Sequence, residues 1–263
     1  MPARPSTFRR VVGWCCVLLA LAGTAAAEVP NGAAIIEQAT DYPERWQRDL
    51  KRDLTDHPIE VLSFSGVAPG MQVLDLFSGN GYWSELFARV VGPNGRVVAH
   101  TNRAYRGFVG KLADRRFADG RVPRVRILVS ELDDLELGRA RFDLVFLALA
   151  YHDLYYHADY WPQPGRAHFF RQVLAALEPG GTLLVIDHAA DSDTGTAAAQ
   201  TLHRIDEQFA RQDFVDAGFE YVAESDALRN NHDDRLRAVF DAEIRGRTDR
   251  FMIRFRRPPA PAP

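Results

Sequence analysis

Cysteine is nearly absent from this chain. The two that occur, Cys15 and Cys16, both lie in an apolar N-terminal stretch that reads as a leader. Once that stretch is removed the chain has no disulfide, no thiolate metal ligand and no cysteine nucleophile. Lysine is almost as scarce, with Lys51 and Lys111 standing among many arginines. The formal charge is a mild −3, and it falls by three more without Arg4, Arg9 and Arg10. Such a balance gives no footprint for nucleic acid. No internal repeat is visible. A long hydrophobic run is missing too: Val11 to Gly23 is too short and too poorly flanked to span a membrane.

That stretch instead has the form of a secretory signal. Arg4, Arg9 and Arg10 precede the apolar run, and Ala25-Ala26-Ala27 offers a small-residue cleavage site. The expectation is a signal peptide over residues 1–27 and a periplasmic or secreted protein, with an uncleaved anchor as the alternative. The remainder suffices for one domain with a full core. We expect a helical arm over 28–66, the domain over 67–257 and a disordered tail over 258–263.

The domain is organised around Met71-Gln-Val-Leu-Asp-Leu-Phe-Ser-Gly-Asn-Gly-Tyr-Trp-Ser84. Val73, Leu74 and Leu76 read as a buried strand, Gly79 and Gly81 as a turn. Trp83, Leu86, Phe87 and Val90 follow at the spacing of an apolar helix face. Glycines let a ligand approach the backbone, and a helix start offers free N–H groups. Further strands are expected at 96–101, 125–130, 142–149, 182–187, 219–224 and 250–255. Helices are expected at 41–64, around 108–117 and over 166–177, with a helical region at 197–217 broken near Gln212-Asp213. Phe142-Asp-Leu-Val-Phe-Leu-Ala-Leu149 has the continuous apolar character of a central parallel strand. Alternating strands and helices imply an α/β sandwich with a mainly parallel sheet, whose ligands sit beyond the strands' carboxyl ends. Gly79, Asn102, Glu131, His152 and His188 each follow a strand, which argues for one site.

Asp75-Leu-Phe-Ser-Gly-Asn-Gly81 resembles motif I of the class I methyltransferases that use S-adenosylmethionine (SAM). Phe142-Asp143 resembles that family's motif IV strand, Leu177-Glu-Pro-Gly-Gly-Thr-Leu-Leu-Val185 its approach to strand five, and Ala217-Gly218-Phe219 its step into strand six. More narrowly, Gly81-Tyr-Trp83, Tyr151-His152-Asp153, Asp187-His188 and His203-Arg204-Ile-Asp206 resemble an exported bacterial family of methyltransferases without an established acceptor. The resemblance implies a Rossmann-like sandwich: a mostly parallel seven-stranded sheet with an antiparallel last strand and helices on both faces. It implies SAM as cofactor and a small or envelope-associated molecule as acceptor. Asp75 is expected to order the turn and meet the SAM amino-acid group, with Phe77, Gly79, Asn80, Gly81 and Tyr82 around it. Asn102 stands where the family has an acid for the ribose hydroxyls, and Phe77 replaces a glycine. Glu131 or Asp133 would reach the adenine.

Methyl transfer from a sulfonium is an in-line displacement, so the enzyme chiefly aligns the acceptor and excludes water. His152, with Asp153 and Tyr151, is the expected catalytic group, as base or acceptor-orienting residue. A strand-capping histidine is the bland alternative. Tyr155, His188, His203 and Arg204 are expected substrate contacts. The histidines with Asp153 and Asp187 suit Zn²⁺ or Fe²⁺ chemically, but their spacing is no metal signature, and none is expected. Two other readings compete. A non-catalytic binding module on the same scaffold would fit the altered ribose position. A nicotinamide-linked oxidoreductase is disfavoured, because Ser84 occupies the third glycine position and no acid follows strand two.

Overall fold

Strand β1 (Gln72–Leu76) shows how the sequence folds. Successive side chains of a strand point to opposite faces, and both faces here are apolar. Val73 enters a core with Leu86, Phe87, Val61 and Leu62, while Leu74 enters the other with Phe169, Phe170 and Phe214. Only a sheet covered by helices on both faces buries such a strand. The computed structural model describes Met1 and residues 32–161 and 165–260. From residue 2 onward the expected signal lies outside the described residues, as do tail residues 261–263.

Three helices lead in: α1 (Gly32–Thr40), α2 (Gln47–Asp56) and α3 (Pro58–Ser65). After β1 come α4 (Tyr82–Val91), β2 (Arg96–Thr101), α5 (Arg103–Val109), α6 (Leu112–Phe117), β3 (Val125–Val129) and β4 (Phe142–Ala148). Then follow α7 (Arg166–Ala176), β5 (Leu177–His188), α8 (Ala199–Leu202), α9 (Glu207–Asp216), β6 (Glu220–Ser225) and β7 (Arg250–Arg256). The seven strands lie in the order β3-β2-β1-β4-β5-β7-β6. β1 to β5 are parallel, and β7 runs antiparallel to β5 and β6. The chain reverses direction in strand order between β1 and β4, so a crevice is expected beyond their carboxyl ends. Among the described residues no helix is long and apolar enough to cross a membrane.

Several boundaries differ from the sequence reading. The stretch at 103–117 is two helices, because Gly110 takes φ 57° between them. The break in the 197–217 region falls at His203, not Gln212. His203 adopts a left-handed φ of 54° and ends α8, and Asp206 starts α9 by accepting from the N–H groups of Gln208 and Phe209. α9 then runs through Gln212 and Asp213 without interruption.

The arm belongs to the domain. Arg116 of α6, fully buried, reaches Asp49 of α2 at 2.6 Å and Glu85 of α4 at 2.6 Å. Arg250 of β7 reaches Asp56 at 2.8 Å.

Candidate active site

The glycine turn follows β1 and uses left-handed backbone at Phe77 (φ 52°), Gly79 (φ 57°) and Gly81 (φ 80°). A Cβ at Gly81 would stand 2.4 Å from the Phe117 ring, so this position tolerates glycine alone. At Gly79 the nearest atoms to such a Cβ would be Phe77 O and Val109 Cγ1, both at 4.0 Å, so this face of the turn is open apart from Val109 beside it. Asp75 is buried behind the turn and accepts from Ser84 Oγ at 2.5 Å. It ties β1 to α4 and orders the turn from behind; it does not line the cavity described below. Burial pushes its carboxyl up to about 7, against 3.8 for an exposed aspartate.

That shift has a defined sign. The folded chain holds this proton more tightly than the unfolded one, so the stabilisation is complete below pH 3.8 and is lost as pH rises through about 7. Asp75→Asn, which carries no charge, is expected to gain on the wild type between pH 4 and pH 8. The gain is about 4 kcal/mol at most, at about 1.4 kcal/mol per pH unit between the two values. Urea midpoints across that range measure it; a constant difference between the two proteins would refute the buried, proton-holding Asp75.

At the end of β2, Asn102 is buried and caps α5, its Oδ1 accepting from Tyr105 N at 2.8 Å. Its Nδ2 donor is buried without a partner among the described residues. Glu131 stands next to it, Oε1 accepting from Arg103 N at 3.4 Å. Phe77, standing where the family turn has glycine, is buried with its ring against His100, Tyr105 and Trp161.

The ends of β4 and β5 carry the polar centre. Asp187 accepts from His152 N at 2.7 Å and, through Oδ1, faces His152 Nδ1 at 2.8 Å. His152 Nε2 then points to Asp153 Oδ1 at 3.3 Å, and His203 Nδ1 lies 3.6 Å from the same oxygen. Tyr105 donates to the other oxygen, Oδ2, at 2.5 Å. Burial by itself would lower the His152 pKa, but the charges of Asp187 and Asp153 outweigh it and hold the ring up to about 9. The same burial raises Asp153, and the His152 charge with hydrogen bonds from His203 and Tyr105 brings it below the usual carboxylate range. At neutral pH His152 is thus an imidazolium beside the Asp153 carboxylate, with Asp187 behind it. His188, bonded to Thr248 Oγ1 at 2.7 Å, stays neutral because burial and the His152 charge lower its pKa well below 6.5.

A cavity of about 470 Å³ opens over this centre, within the range of small-molecule sites. His152, Asp153, His188 and His203 line its polar side, and Val109 joins it to the open face of Gly79. Phe108, Tyr160 and Phe240 line it while remaining largely exposed. A second cavity of similar volume, bordered by Arg96, Arg124 and Arg126, lies at the opposite ends of β2 and β3, away from the turn.

Several expected site residues lie elsewhere. Tyr151 is fully buried on the other side of β4 against Phe214, and its hydroxyl donates to Asp213 at 2.7 Å. Tyr155 donates to the same carboxylate and does not line the cavity. Tyr82 is buried and donates to Asp53 of α2 at 2.6 Å, anchoring the arm instead of facing a cofactor. Asn80 accepts from Tyr82 N through Oδ1 in a local turn and lends its carbonyl to Arg116. Arg204 is fully buried in a forked pair with Asp233 at 2.8 and 3.0 Å, a structural clamp and not a substrate contact. Asp133 is exposed, with its carbonyl held by His168 of α7. Conversely, Tyr105, Trp161 and Phe240 were not singled out as site residues. Phe240, a large apolar side chain in a polar insertion, was the signal that could have marked the rim.

The strand order, the glycine turn after β1 and a polar cavity at the carboxyl edge define a class I methyltransferase architecture. Residues 73–181 match the family model described as a methyltransferase domain. The chain is 31% identical over 127 residues to the ubiquinone/menaquinone biosynthesis C-methyltransferase UbiE of Ectopseudomonas mendocina, covering 48% of this chain and 45% of that one. It spans about half the length of the curated relatives it matches. A SAM-dependent methyltransferase from Aquifex aeolicus superposes with TM-score 0.58 at 19% identity, over 85% of this chain and 97% of that one. The [4+2]-cyclase SpnF superposes with TM-score 0.55 at 18% identity, over 83% and 84%. At these identities the structures speak for the fold. Residues 73–181 thus match a methyltransferase domain, and the chain has the fold of the class I methyltransferase structures.

Proposed function

We propose that the chain transfers the methyl group of SAM to a small molecule seated in the aromatic-rimmed cavity. One observation carries the reading: the open face of Gly79 adjoins, through Val109, a cavity floored by His152, Asp153 and His203. The chain's own groups fit the cofactor there. Gly79 presents backbone without a side chain, and the partnerless Nδ2 of Asn102 offers a buried donor beside Glu131 for ribose hydroxyls or adenine. SAM supplies the methyl group; the residues at the end of β4 hold the acceptor. Because His152 is protonated at neutral pH, it acts by donating a hydrogen bond from Nε2 to an acceptor oxygen, and so as the orienting residue. Phe108, Tyr160 and Phe240 offer their faces to a flat or apolar acceptor body. The UbiE resemblance makes a cyclic carbon acceptor bearing oxygens a rational first choice. Transfer of labelled methyl from SAM to a panel of phenols and quinols tests this. No transfer to any acceptor, with SAM bound, would favour the binding-module reading, for which the non-glycine Phe77 in the turn speaks.

Export is also part of the proposal and rests on the leader-like residues 1–27 alone. The expected result is a chain beginning at Glu28 in the envelope or medium fraction, by N-terminal sequencing. A full-length chain confined to the cytosol would contradict it.

A further inference from the structure

We propose that His152, Asp153 and His203 form a binding site for one divalent transition ion, and that the site takes Zn²⁺. This deepens the reading above: zinc would displace the Nε2 proton of His152 and face the acceptor cavity, so that an acceptor oxygen meets the ion in place of that N–H. The three candidate ligand atoms lie within 4.8 Å of one another. His152 Nε2 is 3.3 Å and His203 Nδ1 3.6 Å from Asp153 Oδ1. A tetrahedral zinc ion with bonds of about 2.0–2.1 Å separates neighbouring ligands by about 3.4 Å. The two measured edges therefore bracket the spacing that zinc requires, and His203 is partly exposed, at 19%.

The surroundings add a second, independent observation. Metal-binding histidines commonly donate their other ring nitrogen to a carboxylate, which fixes tautomer and ring direction. Asp187 does this for His152: it is fully buried and 2.8 Å from Nδ1, which leaves Nε2 aimed at Asp153 and the cavity. Asp187 is itself fixed by the backbone N–H groups of His152 and His188, each at 2.7 Å. Tyr105 holds Oδ2 of Asp153 at 2.5 Å and leaves Oδ1 facing both histidines. His203 is delivered by a left-handed backbone at the end of α8, a conformation that favours glycine. A capping histidine or a plain ion pair accounts for one of these contacts, not for the convergence of all three ligand atoms.

Three protein ligands leave a fourth position open toward the cavity, the arrangement of zinc sites that bind a reacting group. Two imidazoles and a carboxylate suit zinc and its first-row neighbours, not Mg²⁺ or Ca²⁺, which prefer oxygen. The ligand for the open position is water in the free protein and an acceptor oxygen when the cavity is filled.

The test is a Zn²⁺ titration of the chelator-stripped full chain against a zinc indicator, with metal content read by elemental analysis. One equivalent per chain is expected. His203→Ala and Asp153→Asn should weaken binding at least tenfold, Tyr105→Phe roughly 10- to 100-fold as an orienting change, and His232→Ala not at all. Circular dichroism confirms that each variant is folded. A folded wild type that retains no zinc, zinc binding unaltered in His203→Ala and Asp153→Asn, or preference for another divalent ion would overturn the assignment. Titrating SAM into the zinc-free and zinc-loaded chain keeps the two ideas apart. A folded chain that binds SAM but no zinc removes the metal site and leaves the methyltransferase reading; one that binds zinc but no SAM does the reverse.

Discussion

Replacing His152 by alanine is expected to lower kcat/KM for methyl transfer by about 100-fold or more, the range for removing a group that handles an acceptor proton or its hydrogen bond. The imidazole joins Asp187, held behind it, to the cavity in front. Without it Asp187 still accepts from two backbone N–H groups, so the variant should fold and the loss should fall on catalysis. Tyr151→Phe is the contrasting change. It removes a hydroxyl from Asp213 on the other side of β4, and should reduce stability by about 1 kcal/mol while leaving turnover near wild type. Steady-state assays with urea unfolding of both variants separate the two. Equal activity losses would mean that His152 has no special part in the reaction.

Arg116→Met is expected to cost about 3–5 kcal/mol, the range for removing one partner of a buried ion pair. The guanidinium has no exposed surface and joins three segments: Asp49 of α2, Glu85 of α4, and the Asn80 carbonyl in the glycine turn at 2.7 Å. Trp46 covers its face at 4.3 Å. Methionine fills most of the space but leaves Asp49 buried with only the distant Arg48 at 3.7 Å, whereas Glu85 keeps Arg89 and Arg121. For a domain of this size the melting temperature should fall by roughly 10 °C. A shift of a degree or two would show that the arm docks by apolar packing alone.

Both variants mark the limits of sequence reading. β1 and β4 were legible because strands buried on two faces leave continuous apolar runs, and the glycine turn because its residues are adjacent. The polar centre was half legible. His152 and Asp153 follow β4 directly, whereas the use of Asp187 to hold His152 depends on the pairing of β4 with β5. Arg204 and Tyr151 look like site residues in sequence. Arg204 is withdrawn by a partner 29 positions away, Asp233, and Tyr151 by the turn of the short helix His152–Tyr155 that follows it. The Arg116 clamp had no sequence signal, since an arginine late in a short helix normally reads as a solvated end.

The central claim is that the turn at Gly79 and the cavity beside it form a SAM site. Calorimetric titration of SAM and of its demethylated product into the wild type and into Gly79→Val tests this most directly. A valine at φ 57° places its side chain on the open face that the turn presents to the cavity. The account predicts micromolar binding of both ligands by the wild type, and its loss in a Gly79→Val protein that melts as a folded chain. Absence of binding by the folded wild type, or equal binding by both proteins, would contradict it.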